Sequence, residues 1–152
     1  MDADGSHQVV DLLHMINEKT MNPNADLIIG SRWIKGGKTF NWSRSRELLS
    51  RIANRYVRIM LGMGVYDSTA GFRIYSSSIL RKIDLVHIRS EGYSFQIEMT
   101  RAAHKAGAVI REVPITFKER ENGVSKMSKK IVREAMFLVT VWGFKRVLRI
   151  LS

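Results

Sequence analysis

The chain has no cysteine, two prolines among 152 residues, and no apolar run of the roughly 18 residues that a simple membrane-crossing helix requires. Without cysteine there is no disulfide framework and no thiolate metal site, a composition that fits a reducing compartment. Its acidic first residues carry no apolar segment behind them, so no secretory signal is expected. Internal repeats and low-complexity linkers are also missing, and one continuous domain is expected. Acidic residues are scarce, 14 Asp and Glu against 25 Lys and Arg, a net charge of +11. Such an excess calls for an anionic partner: nucleic acid, an anionic membrane surface or phosphorylated substrates. The remaining composition, 45% hydrophobic and 26% charged, is that of an ordinary globular chain large enough to bury a core.

The apolar pattern predicts an α/β order. Residues 8–19 place Val9, Leu12, Leu13 and Ile16 at helical spacing before Asn22-Pro23-Asn24 ends the run. The segment DLIIG, 26–30, reads as a buried parallel strand. Residues 36–45 read as a loop with two exposed aromatics, Phe40 and Trp42. A helix is predicted over 46–61, with Leu49, Ile52, Ala53, Tyr56 and Met60 as its apolar stripe and Gly62 as its stop. A short helix over 76–83, a longer one over 93–106 closed by Gly107, a strand over 109–117 with Pro114 at an edge or bend, and a final helix over 131–151 complete the order.

Several segments carry residue types suited to phosphate chemistry. Asp2 and Asp4 form a D-x-D step, which can hold one hard divalent cation and through it a diphosphate, or can be solvated or cap a helix. An EF-hand is excluded, because Leu13 stands where the bidentate Glu belongs. Ser6 could add a third oxygen, whereas His7 is expected to be structural. Arg32, after Gly30-Ser31, is either an exposed turn arginine or a cation at the carboxyl edge of the sheet, where open α/β sheets bind ligands. Arg46 and Ser50, four apart on a helix, either clamp a phosphate or belong to a solvated basic face. The loop 67–73, DSTAGFR, is a structural turn or a close approach to a ligand allowed by Gly71. The stretch 120–126 brings Arg120 and Lys126 around an Asn-Gly turn, as a basic surface loop or as a cover over a diphosphate. The last helix, with AMFLVTVWGF at 135–144 followed by Lys145-Arg146, suits a membrane interface with Trp142 at headgroup level as well as it suits packing on its own domain.

Together the segments MDADGSH, ADLIIGSRWIKGG, NWSRSRELLSRIAN, DSTAGFRIY, SEGYSFQIEM and EVPITFKERENGVSKMS resemble the dolichol-phosphate (polyprenol-phosphate) mannose synthases, inverting family 2 glycosyltransferases of the GT-A type. They occur in the family's order and spacing and cover nearly the whole chain. The resemblance implies a Rossmann-related GT-A domain lacking its N-terminal nucleotide-binding half. Residues 1–130 would be the C-terminal part of the catalytic domain and 131–152 an amphipathic helix. It also implies that Asp2 and Asp4 hold a divalent cation, Mg2+ or Mn2+, and the donor diphosphate, that Ala3 lies at the nucleotide, and that Ser6 falls where some members add a metal ligand. Arg32, Arg120 and Lys126 fall on positions contacting GDP-mannose, with Asp4, Arg120 and Lys126 as the catalytic set. Arg46 and Ser50 fall where the family grips the lipid phosphate.

The implied reaction moves mannose from GDP-mannose to dolichyl or polyprenyl phosphate at the cytoplasmic face of a membrane, with no nucleic acid involved. The family's strand-helix-strand half, which ends at the D-x-D, is not found in these residues, so the chain is expected to be the later portion of such an enzyme, with the lost half supplied elsewhere or by a partner. Gln8-Val9 also replaces a proline-containing start that many members show after the histidine. Two other readings stand beside this one: a glucosyl-phosphate lipid synthase on the same scaffold, and a non-catalytic basic fragment that associates with membranes. Nucleic-acid binding rests on charge alone, since no recognition motif accompanies it.

Overall fold

In a computed structural model, residues 5–119 and 129–151 are described. The chain alternates helices and strands: α1 (Val9–Met21), β1 (Leu27–Ser31), β2 (Lys38–Phe40), α2 (Arg44–Leu61), β3 (Arg73–Tyr75), α3 (Ser77–Lys82), a 3-10 turn (Leu85–His87), α4 (Gly92–Lys105), β4 (Ile110–Pro114), β5 (Thr116–Lys118) and α5 (Lys129–Leu151). The sheet order is β3-β1-β4, with β1 parallel to β4 and antiparallel to β3. A second, two-stranded sheet pairs β2 with β5 in parallel. This is the expected α/β class, with a mixed sheet.

Strand β1 is buried along its whole length and forms the centre of the three-stranded sheet. The strand predicted over 109–117 is divided at Pro114. Proline has no N–H to give the sheet ladder; Ile115 instead donates to Ser31 O (3.1 Å), and the next three residues pair with β2. The loop predicted over 36–45 therefore contains a strand, β2. With three residues, neither β2 nor β3 is long enough to show alternation. Helix α2 begins two residues earlier than the apolar pattern, because the Ser43 hydroxyl accepts from Arg46 N–H and caps it. It stops at Gly62, whose left-handed φ of 64° matches the expected C-terminal stop.

The faces of two helices differ in part from expectation: Leu12 on α1 and Tyr56 and Met60 on α2 pack on the core as the stripes predict, but other stripe residues do not. On α1 the buried residues are Asp11 and Met15, while Val9, Leu13 and Ile16 are exposed. Asp11 accepts from Thr116 N–H at 3.1 Å, tying this face of the helix to β5. On α2 the buried residues are Asn54, Val57 and Leu61; Leu49 and Ile52 of the predicted stripe are exposed. Asn54 turns this face inward by donating to Ser50 O and Thr69 Oγ1.

Helix α5 runs alongside α2 in the same direction. Tyr56 Oη and Thr140 Oγ1 are 2.7 Å apart, Gly143 lies against Met60, and Arg146 reaches Gly62. Its inner face, Ala135 and Val139, is buried, while Phe137, Phe144 and Leu148 are exposed. Trp142 packs against the main core with the Arg101 guanidinium 5.0 Å from its ring. The helix thus packs on its own domain with Trp142 turned toward the core, while its other face remains exposed.

Candidate active site

The parallel strands deliver their carboxyl ends to one side of the molecule, the place where open α/β sheets offer crevices to ligands. There Arg32 follows the end of β1, Trp42 lies two residues past β2, and Phe117 and Glu119 flank the end of β5. All four line a cleft of about 1040 Å3, near the upper end of the roughly 300–1,000 Å3 common for small-molecule sites. The opposite walls come from the 87–94 segment and the start of α4, and from Glu134, Phe137, Leu138 and Trp142 of α5.

Arg32 is 5% exposed, so it is not the surface turn residue it could have been. Its Nε and one terminal nitrogen donate to the two oxygens of Asp67, both at 2.7 Å, and its backbone N–H adds a bond of 2.9 Å. The same terminal nitrogen donates to Thr69 Oγ1. Burial opposes the guanidinium charge, but the field and hydrogen bonds of Asp67 outweigh it and hold the Arg32 pKa above its ordinary value. Asp67 is positioned in turn by Glu112, which accepts from the backbone N–H groups of Tyr66 and Asp67 at 2.8 and 2.9 Å. Burial pushes the Glu112 carboxyl upward in pKa, while those hydrogen bonds act the other way.

The 67–73 loop is thus a fixed wall of the cleft, not a loose turn. At its far end Arg73 donates to Ala70 O, Ser68 O, Gln96 O and Thr100 Oγ1, stapling the loop to α4. Gly71 lines the cleft, but not for the predicted reason. Its φ is not in the left-handed region, and a Cβ there would meet only Gln96, at 3.8 Å.

Arg46 enters the cleft from the first turn of α2. Its guanidinium lies 4.0 Å from the centre of the Trp42 ring and forms an ion pair with Glu119. Trp42 is half-buried rather than exposed. The left-handed Asn41 (φ 64°) turns the chain after β2, and Trp42 then packs edge-on against Trp33 and Phe117. Phe40 is exposed as expected. Ser50, one turn beyond Arg46, is half-buried and is not among the described residues that line the cleft; its carbonyl accepts from Asn54.

Asp2, Ala3, Asp4, Arg120 and Lys126 lie outside the described residues. The residues that adjoin them are joined, however. Lys118 N–H donates to Ser6 O at 3.1 Å, and the His7 ring packs on Phe72 and Phe117. Ser6 is buried, and among the described residues no group of three His, Cys, Asp or Glu could hold a metal. The described residues alone therefore make no metal centre. Nor is the described lining uniformly basic: Arg32, Arg46 and Arg89 stand against Glu91, Glu98, Glu119 and Glu134. Reasoning from sequence missed Asp67, Glu112, Glu119 and the inward Trp42. Asp67 was the only acid in a loop of small polar residues, and that was its one available signal.

A mixed sheet with an arginine- and aromatic-lined cleft at its strand ends marks an α/β domain with a candidate ligand site. No family model matches the chain. Over 145 residues, 95% of its length, the chain is 50% identical to the polyprenol monophosphomannose synthase of Mycolicibacterium smegmatis. Over 143 residues, 94% of its length, it is 51% identical to the undecaprenyl-phosphate mannosyltransferase of Micrococcus luteus. The aligned parts are 54% and 58% of those proteins, so the chain spans about half the length of the curated relatives it matches. Both of these proteins carry names of the kind its motifs resemble, a polyprenol monophosphomannose synthase and an undecaprenyl-phosphate mannosyltransferase.

Proposed function

We propose that the chain is part of a GT-A-type glycosyltransferase that moves mannose from GDP-mannose to a polyprenyl phosphate. The observation that carries this reading is Arg46. In a chain half identical to a polyprenol monophosphomannose synthase and an undecaprenyl-phosphate mannosyltransferase, its guanidinium stands in the large cleft, stacked on Trp42 and, among the described residues, paired with the half-exposed Glu119. A phosphate monoester entering the cleft can displace Glu119 and take two N–H groups of this arginine.

In the reaction, the bond from mannose C1 to the donor diphosphate breaks as an acceptor phosphate oxygen bonds to C1 from the opposite face. The acceptor is already ionised near neutral pH, so no dedicated general base is required. What the protein must supply is in-line positioning and stabilisation of the departing diphosphate. Arg46 would hold the acceptor. Arg32 would form a rigid cationic wall, its orientation fixed by Asp67, and Arg120 and Lys126 would neutralise the leaving group. A divalent cation at Asp2 and Asp4, with Ser6 beside them, would add to that neutralisation when bound. Leu48 and Ile52 on α2 and Phe137, Phe144 and Leu148 on α5 are exposed, which supports work at a membrane surface where a lipid acceptor resides.

The experiment is transfer of labelled sugar into the lipid phase by the chain, comparing GDP-mannose with UDP-glucose at equal concentration. Incorporation from GDP-mannose supports the proposal. Incorporation from UDP-glucose in preference would replace it with a glucosyl-phosphate lipid synthase.

A further inference from the structure

We propose that the outer flank of α2 carries a second anion site, separate from the cleft, built for a hydroxylated phosphate ester such as a glycerophosphate group. A concavity of about 140 Å3 is bounded by Trp33, Arg51, Asn54, Arg55, Arg58 and Tyr66, none of which lines the large cleft. The site stands on its own geometry and needs no assumption about mannose transfer.

Three arginines at positions i, i+4 and i+7 share this side of the helix. Such like charges repel one another unless an anion lies between them. Only Arg51 has an acidic partner among the described residues, Glu47 on the same helix. Two of the guanidiniums are held by aromatic faces: Arg51 lies 4.4 Å from the Trp33 ring centre and Arg58 lies 4.1 Å from that of Tyr66. Stacking occupies the flat faces of the guanidiniums; the N–H edge of Arg51 is engaged by Glu47, whereas that of Arg58, which has no acidic partner among the described residues, can donate to a phosphate oxygen, as can Arg55.

The floor of the site narrows the ligand further. Asn54 is 1% exposed, and its amide nitrogen donates to Ser50 O and Thr69 Oγ1, which fixes the orientation of the side chain. Its Oδ1 is buried and has no hydrogen-bond partner among the described residues. A buried acceptor of this kind costs free energy until an O–H or N–H group reaches it. Inorganic phosphate near neutral pH carries its remaining protons on the same phosphorus that the arginines bind, whereas a phosphate ester bearing hydroxyl groups brings a separate O–H donor that can reach Asn54 while its phosphate stays on the arginines. Arginines for the phosphate, an amide oxygen for a hydroxyl and two aromatic walls together describe that ligand class. It could arrive free in solution or as the headgroup of a lipid.

The test titrates the 152-residue chain with sn-glycerol 3-phosphate, with inorganic phosphate, and with phosphatidylcholine vesicles with or without phosphatidylglycerol. Tryptophan fluorescence and co-sedimentation are the readouts. An Arg46→Ala background removes the phosphate contact of the cleft. Saturable binding of glycerol 3-phosphate, tighter than inorganic phosphate and weakened about tenfold by Arg55→Gln or Arg58→Gln, supports a site for the free ester. Binding only to phosphatidylglycerol vesicles, with the same arginine dependence, supports the lipid form. Arg55 is exposed, so its replacement leaves the fold in place. Affinities unchanged by both substitutions, or inorganic phosphate binding as tightly as the ester, would overturn the proposal.

Discussion

Asp67 receives three hydrogen bonds from Arg32, two from the guanidinium at 2.7 Å and one from the backbone N–H at 2.9 Å, although 35 residues separate them. The pair is buried on both sides. Desolvating two such charges is costly, and their mutual geometry is what offsets it. Removing one partner alone leaves a charge without compensation. Asp67→Ala is expected to cost about 3–5 kcal/mol in denaturant unfolding, and the Arg32→Met/Asp67→Leu double variant markedly less than the sum of the single changes.

Glu119 pairs with Arg46, and under the role proposed for this arginine it would compete with a phosphate for the same nitrogen. Glu119→Gln is therefore expected to strengthen binding of a prenyl phosphate several-fold, as read by calorimetric titration, while leaving the thermal midpoint nearly unchanged. The pair is partly exposed, so its own contribution to stability is about 0–1 kcal/mol.

Gly143 permits α5 to lie close to α2. A Cβ at this position would meet Met60 Cε at 2.5 Å, Met60 Cβ at 3.2 Å and Met60 O at 3.3 Å. The flexible methyl can move aside, but the backbone oxygen cannot. Gly143→Val is expected to destabilise the fold by about 1–3 kcal/mol through overpacking, with the loss visible as a lower denaturation midpoint.

Asp26 links three elements: it accepts from Val109 N–H at 3.1 Å and from the Ser76 hydroxyl at 3.0 Å, next to the cap of α3. The Val109 hydrogen bond lowers its pKa most; partial burial opposes this, and Ser76, Lys82 and Lys19 assist it. A carboxylate depressed in the folded state contributes stability above its unfolded value. That contribution fades as pH falls through the folded value. Stability should therefore decline below roughly pH 4, and Asp26→Asn should flatten that acid limb in denaturation measured from pH 6 to 2. Glu112 acts with the opposite sign. Its raised pKa favours the folded state at low pH, an advantage lost as pH rises through its folded value.

Much of the element order could be read from the sequence, because local chemistry marks it. Gly62 closes α2, Asn22 follows α1, and the strand read at 26–30 and found at 27–31 needed only its continuous apolar character, whereas the Ser43 cap sets the start of α2 ahead of its apolar pattern. Orientation could not be read in the same way. Periodicity reveals a stripe, but Val9, Leu13 and Ile16 on α1 and Leu49 and Ile52 on α2 face outward. The inward faces combine apolar contacts from Met15, Val57 and Leu61 with polar ties from Asp11 and Asn54 to distant strands and loops. For the site, Arg32 and Arg46 could be picked out by residue type and position. Their partners Asp67 and Glu119, 35 and 73 residues away, are set by tertiary contact and leave no trace in spacing.

The most direct measurement is a titration of the chain with farnesyl phosphate, a short prenyl phosphate, set beside the Arg46→Ala variant. Saturable binding that falls about tenfold in the variant, the loss of one charge-assisted contact, is the predicted result. Equal affinity for both proteins would show that Arg46 does not grip the acceptor and would contradict the account.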